Sequence, residues 1–181
     1  MTCIVALEHE GKVWMGGDAA ASCNNDIVRR VNPKVFIKGD FLIGYSGSFR
    51  IGQLLQYSFT PVKPAHKQSD MEYMVVSFID SLREMLKYKG ALMKEDEGDA
   101  QDSEFIVGYR GKIYVVESDF HLGTPLNPYA ASGSGAPYAL GALYALSKVN
   151  NISPQKKVEK ALRASAEYCT GVCAPFTILA L

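Results

Sequence analysis

The chain has 181 residues, 48% of them hydrophobic and 21% charged, and its 19 basic residues balance 19 acidic ones for a formal net charge of zero. That length suits one domain over 1–181 that can bury a sizeable core without disulfide or metal staples. Balanced charge offers nothing to nucleic acid or an anionic membrane, no apolar run reaches the length of a membrane span, and the first residues lack the pattern of a secretion signal. Four cysteines (Cys3, Cys23, Cys169 and Cys173) read as reduced thiols of a cytoplasmic protein. Cys169 and Cys173 lack nearby ligand partners and the three histidines are scattered, so no metal site is expected.

In chain order, CIVALEH (residues 3–9) is rich in β-branched and apolar types, Glu10-Gly11-Lys12 punctuates it, and VWMGG follows. This is a hairpin signature. AAASCNND after Asp18 reads as a polar, small-residue loop. KVFIKGDFLIGYSG then gives two more strands turned at Gly39-Asp40, so four strands are expected before the first helix. From Ser48, the residues Ile51, Leu54, Leu55 and Phe59 share one helical face, until Pro61 and Pro64. A long helix is predicted from Ser69 to about Lys89, with Val75, Phe78, Ile79, Leu82, Met85 and Leu86 inward. EDEGDAQDS (95–103) reads as a solvated acidic loop. EFIVGYRGKIYVVESD is a second hairpin, and YAASGSGAPYALGALYAL passes from strand through a glycine turn into a helix, with Pro137 in its first turn. Ser153 caps a further helix to about Cys169, whose inner face carries Val158, Ala161, Leu162, Ser165 and Tyr168; FTILAL closes as a strand. Strands, two helices, strands, two helices and a strand do not alternate as a parallel α/β fold would. They suit an α+β fold of two packed antiparallel sheets with helix pairs outside.

Thr2 is the first candidate for chemistry. Removal of an initiator methionine before a small residue would leave Thr2 with a free α-amine. A hydroxyl needs a base to become a nucleophile, and an α-amine of pKa roughly 7.7–8.0 is one. The plain alternative is a first strand residue of β-forming type. Asp18 ends the second strand after Gly16-Gly17, and Lys34 starts the third. With the hairpins stacked in order, both reach the tip of the first strand. A buried lysine there would tune the threonine and the aspartate would hold the lysine charged; surface positions are the usual fate of both types. In GYSGS (44–48), Gly47 lies between strand and helix, where backbone N–H groups can stabilise an oxyanion; a simple turn explains it equally. Gly133-x-Gly135 before a helix lacks the rest of a dinucleotide fingerprint and the lysine of a P-loop. Ser134 in that turn could instead hydrogen-bond the α-amine of Thr2. Cys3 falls on the opposite face of the strand from Thr2 and reads as core.

With TCIVALEHEGKVWMGGDAAAS, VNPKVF, GSGAPYALGALYAL and KALRASAEYCTGVCAPFTIL assembled, the chain resembles proteasome β-type subunits over nearly its whole length. More closely it resembles HslV-type peptidases, which are N-terminal-nucleophile hydrolases. The resemblance implies a four-layer αββα sandwich. It makes Thr2 the nucleophile with its own amine as base, Asp18 and Lys34 the charged pair that tunes it, Gly47 the oxyanion donor and Ser134 the support of the amine. It puts Ser22 at the backbone edge that binds a peptide, and Ala21, Asn32, Phe36 and Tyr45 in pocket walls. Glu167 and Thr170 stand nearest to an aspartate and serine that support the nucleophile in proteasome β subunits. The family's small-residue run after the oxyanion glycine is replaced by Ser48-Phe49-Arg50. The resemblance also implies a homo-oligomeric ring, stacked in pairs, and an unfolding ATPase partner, since no ATP site is read in this chain. No cofactor is implied. Two other functions stay open at this point: a catalytically silent ring subunit of the same fold, and a small-molecule amidase of the same superfamily.

Overall fold

The computed structural model describes residues 1–23, 26–95 and 98–181. Strands β1 (Ile4–His9) and β2 (Lys12–Gly17) form the first hairpin, β3 (Ala20–Cys23) and β4 (Asp26–Arg29) a second, and β5 (Val35–Lys38) and β6 (Phe41–Gly47) a third. Helix α1 (Phe49–Tyr57) follows; then α2 (Asp70–Glu72) runs through a π-helical stretch, Tyr73–Phe78, into α3 (Ile79–Tyr88). Next come β7 (Met93–Glu95), β8 (Gly98–Ala100), β9 (Ser103–Tyr109), β10 (Lys112–Val116), β11 (Leu122–Gly123) and β12 (Tyr129–Ser132). Helices α4 (Ala136–Ser147) and α5 (Pro154–Tyr168) and strand β13 (Thr177–Ala180) complete the chain.

Two antiparallel sheets carry the fold. One has the order β12-β1-β2-β13 and the other β11-β10-β9-β6-β5. The period-2 alternation of β1 sorts its side chains between two layers. Cys3, Val5 and Leu7 face α4 and α5 with Ala139, Leu143, Val158, Ala161 and Leu162. Ile4 and Ala6 face the other sheet with Met15, Val35, Leu42 and Ile106. On the far side of the second sheet, Phe36, Ile43, Tyr45 and Phe105 pack on Leu54, Phe78 and Leu82 of the other helices. The result is a four-layer αββα sandwich. Each fully buried large apolar side chain in these layers contributes about 1.5–3 kcal/mol. Gly16 lets α5 close on the sheet, because a Cβ there would meet Val158 Cγ1 at 2.7 Å and Leu162 Cδ1 at 2.8 Å.

Four local expectations need correction. Among the described residues six strands, not four, precede the first helix, because AASC pairs with DIVR instead of forming a loop; Asn24 and Asn25 lie outside the described residues. In the long helix Val75 is exposed and Tyr73 and Met74 are buried. The π-helical stretch adds residues to the turn and rotates the apolar face. Around the expected acidic loop, Met93–Glu95 pairs with Gly98–Ala100, and Gln101 and Ser103 are buried; residues 96 and 97 lie outside the described residues. Tyr168 is not on the inner face of its helix: it is exposed and its ring lies 5.8 Å from that of Tyr138.

Candidate active site

The alternation that sends Ile4 between the sheets sends Thr2 the same way. Thr2 stands just before β1 and is 5% exposed. Its Oγ1 accepts a hydrogen bond from Lys34 Nζ at 2.9 Å and donates to the Met1 carbonyl at 2.7 Å. Lys34 directly precedes β5 and is 2% exposed; its Nζ also lies 2.9 Å from Asp18 Oδ1. Asp18 follows the last residue of β2 and is equally enclosed. Its Oδ1 accepts from Cys3 N at 2.9 Å and its Oδ2 from Ala20 N at 2.8 Å. The starts of β1 and β5 and the end of β2 therefore converge on one hydroxyl. Burial pushes the Lys34 pKa below the ordinary lysine value of 10.5, and the Asp18 carboxylate opposes that shift.

The glycine turn before α4 closes the site from the other side. Gly133 has φ +88° and a Cβ there would run into the Thr2 carbonyl, so only glycine fits. Gly135 N donates to the Thr2 carbonyl at 3.1 Å, and Ser134 Oγ accepts from Thr2 N at 3.2 Å. With Met1 in place that nitrogen is a peptide amide. Behind the turn, Ser165 Oγ donates to the Gly135 carbonyl at 2.8 Å and accepts from Cys3 Sγ at 3.3 Å. Cys3 is fully buried and burial pushes its thiol up to about 12. It is a core thiol with no thiolate character near neutral pH.

Gly47, at the end of β6, is exposed with φ +94° and lines a cavity of about 690 Å³. Gly133 lines the same cavity, so both glycine turns open into one space, together with Asp102 and Glu104. A second cavity of about 320 Å³ flanks Asp18 and is lined by Arg29, Arg30 and Asn32. Ser22 lies in β3 opposite Ile27, and the edge of β3 away from β4 has no strand partner among the described residues. Ala21 is buried beside it.

Four residues expected at the site, Phe36, Tyr45, Glu167 and Thr170, do not reach it in the expected way. Phe36 and Tyr45 are 5% and 4% exposed and pack in the helix-side core, lining none of the cavities described. The aromatic ring that does approach the site is Phe49, with Lys34 Nζ at 5.8 Å and the Arg30 guanidinium at 5.0 Å from its centre. Glu167 and Thr170 are exposed and form no hydrogen bond with Thr2 or Ser134. Between these two positions, Cys169 does touch the turn, its Sγ donating to Ser134 Oγ at 3.6 Å. The helix ends at Tyr168, so the positions beyond it no longer follow helical spacing. Among the described residues, no group of three His, Cys, Asp or Glu side chains could hold a metal ion, and no helix is long and apolar enough to cross a membrane.

No family model matches the chain. Individual relatives do, from end to end. The ATP-dependent protease subunit HslV of Caldicellulosiruptor saccharolyticus is 29% identical over 99% of this chain and 98% of its own length. The same subunit of Aquifex aeolicus is 26% identical over 93% and 90%. Among solved structures, Thiobacillus denitrificans BPH in complex with epoxomicin superposes with a TM-score of 0.82 at 19% identity, covering 99% of this chain and 98% of that one. Eukaryotic HslV from Trypanosoma brucei superposes with a TM-score of 0.71 at 18% identity, covering 99% of both. These two structures share the fold, and the curated relatives share the sequence across it. Over nearly its whole length the chain is thus similar in sequence to ATP-dependent protease subunits HslV, and it has the fold of these two structures.

Proposed function

We propose that the chain, one domain over 1–181, is the threonine peptidase subunit of a self-compartmentalising ring protease, with Thr2 as nucleophile once Met1 is removed. The observation that carries this reading is the buried Thr2–Lys34–Asp18 chain, with both links at 2.9 Å. A lysine and an aspartate enclosed to this degree are costly unless they serve each other and a third group. Here that third group is the Thr2 hydroxyl.

In the Met1-free form, the Thr2 amine stands where Ser134 Oγ now meets the amide. It takes the hydroxyl proton as Oγ1 attacks the scissile carbonyl, and Lys34 stabilises the negative charge left on Oγ1. The Gly47 N–H faces the tetrahedral oxyanion. Breakage of the C–N bond passes the proton from the Thr2 ammonium to the leaving amine and leaves an ester on Oγ1. Water, deprotonated by the same amine, then hydrolyses the ester. The free edge of β3 at Ser22 accepts the peptide as an added strand, and Ala21, Phe49 and Arg30 stand beside it. The substrate is a peptide or unfolded protein, brought by a partner ATPase to a stacked ring in the cytoplasm.

Purified Met1-free protein is expected to hydrolyse fluorogenic peptides and to run as a ring-sized particle. Thr2→Ala should lose the hydrolysis and keep the particle size. A ring without activity in the wild type would instead make this a silent structural subunit. A small, open particle that cleaves only small amides would make it an amidase.

A further inference from the structure

The nucleophile and the oxyanion donor come from different sheets. Thr2 precedes β1 of the first sheet, whereas Gly47 ends β6 of the second. Most of the space between the sheets is apolar, filled by Ile4, Ala6, Val13, Met15, Leu42 and Ile106. Such packing is non-directional and does not by itself fix one turn against the other.

Besides the bonds of Lys34 to Thr2 and Asp18, a second polar link crosses this layer at the reaction end. Ser46 Oγ of β6 lies 2.6 Å from Ser132 Oγ of β12, and Ser132 Oγ donates to Glu104 Oε2 of β9 at 2.7 Å. Ser46 and Ser132 are 4% and 2% exposed. Ser46 and Glu104 are direct cross-strand partners within the second sheet. Ser132 enters between them from the first sheet, where it pairs with Ile4. A carboxylate only accepts, so the Ser132 proton goes to Glu104 and the Ser46 proton goes to Ser132. The three groups therefore have a single hydrogen-bond direction.

Each serine is the immediate neighbour of a glycine turn. Ser46 precedes Gly47 and Ser132 precedes Gly133, and both glycines have positive φ. A Cβ on Gly133 would touch both the Thr2 carbonyl and Ser46 Cβ, the latter at 3.2 Å, so the two turns and the nucleophile are in packing contact. The link ties the strand that carries the oxyanion donor to β12, the neighbour of the strand that Thr2 leads into.

We propose that Ser46, Ser132 and Glu104 are positioning residues that fix the spacing between the Gly47 N–H and Thr2 Oγ1. This rests on the peptidase reading above and adds a function for three residues whose side chains bond one another and not Lys34 or Asp18. A displacement of about 1 Å between reacting groups costs on the order of a hundredfold in rate. Loss of the link therefore acts on the step that needs the oxyanion donor and spares the Lys34-activated hydroxyl.

Two covalent probes separate these effects. A β-lactone acylates Thr2 Oγ1 through a tetrahedral oxyanion: the O–acyl bond forms, the ring C–O bond opens, and the hydroxyl proton ends on the released alkoxide. A peptide vinyl sulfone adds Oγ1 to an alkene and places no charge on a carbonyl oxygen; the hydroxyl proton ends on the carbon next to sulfur. In the Met1-free chain, Ser132→Ala and Glu104→Ala are expected to slow β-lactone acylation by about tenfold to a hundredfold. The same variants should leave the vinyl sulfone rate and the thermal midpoint near wild type. Glu104→Gln keeps an acceptor oxygen and should recover most of the loss. Equal slowing of both probes, or of neither, overturns the proposal. A wild-type chain inert to both probes overturns the peptidase reading and this inference with it, an outcome distinct from a selective failure of the link.

Discussion

Replacing Lys34 by Met is expected to slow acylation of Thr2 by at least about a thousandfold while the protein stays folded. Methionine keeps the length and the apolar stem of the lysine, so the layer between the sheets stays filled. The loss is the ammonium 2.9 Å from Thr2 Oγ1. Asp18 is not stranded by this change, because its oxygens still accept from Cys3 N and Ala20 N. The same lysine shapes the pH profile of the Met1-free wild type. Below roughly 7.7–8.0 the Thr2 amine becomes protonated and can no longer act as base, so the rate falls on the acid side. On the alkaline side the rate falls when Lys34 loses the proton that stabilises the attacking oxygen. Burial lowers that pKa, so the fall begins below the ordinary 10.5. Single-turnover acylation across pH measures both limbs. A Lys34→Met protein that acylates at the wild-type rate would remove the lysine from the mechanism.

Asp18→Ala is expected to damage the fold as well as the rate. It removes the acceptor of three buried donors at once: Lys34 Nζ, Cys3 N and Ala20 N. Breaking a buried ion pair from one side costs about 3–5 kcal/mol, because the remaining charge has no partner. That is a large part of the 5–15 kcal/mol by which a domain is ordinarily stable. The thermal midpoint should drop by roughly 6–20 °C, at about 2–4 °C per kcal/mol for a chain of this size. Much of the penalty belongs to the orphaned lysine. The double variant Asp18→Ala, Lys34→Met should therefore be more stable than Asp18→Ala alone, although equally inactive. Urea denaturation of the two variants gives the coupling directly. Additive losses in the double variant would mean that the pair contributes no mutual stabilisation.

The parts of this fold legible in the sequence are those with a clean period. The alternation in CIVALEH sorts Cys3 to the helices and Ile4 to the sheet interface, and the helical spacing of Val158, Ala161 and Leu162 faces the first sheet. The β3–β4 hairpin was illegible because AASC is made of small residues with no alternation. The rotation of Val75 outward follows from extra residues in a helical turn, which no apolar count reveals. In the site, Thr2, Asp18, Lys34 and Ser134 stand at element ends, and the family spacing of those ends points to them. Phe49, Arg30 and Cys169 come from loops and helix termini whose direction is set by tertiary packing, so their approach to the site was illegible. Ser48-Phe49-Arg50 is visible as a departure from the pattern of HslV-type chains, but its consequence, a ring approached by the Arg30 and Lys34 cations, is set by tertiary packing. The Ser46–Ser132–Glu104 link joins two sheets and three distant strands, and no local motif announces it.

The most direct test of Thr2 as an N-terminal nucleophile is intact mass before and after a peptide epoxyketone. That warhead bonds to both a threonine hydroxyl and a free α-amine, so it reports the removal of Met1 and the reactivity of Oγ1 together. The expected result is a chain lacking Met1 that gains one adduct, with none on Thr2→Ala. A chain that keeps Met1 and gains no adduct, or a Thr2→Ala chain that is labelled as well as the wild type, would contradict the account.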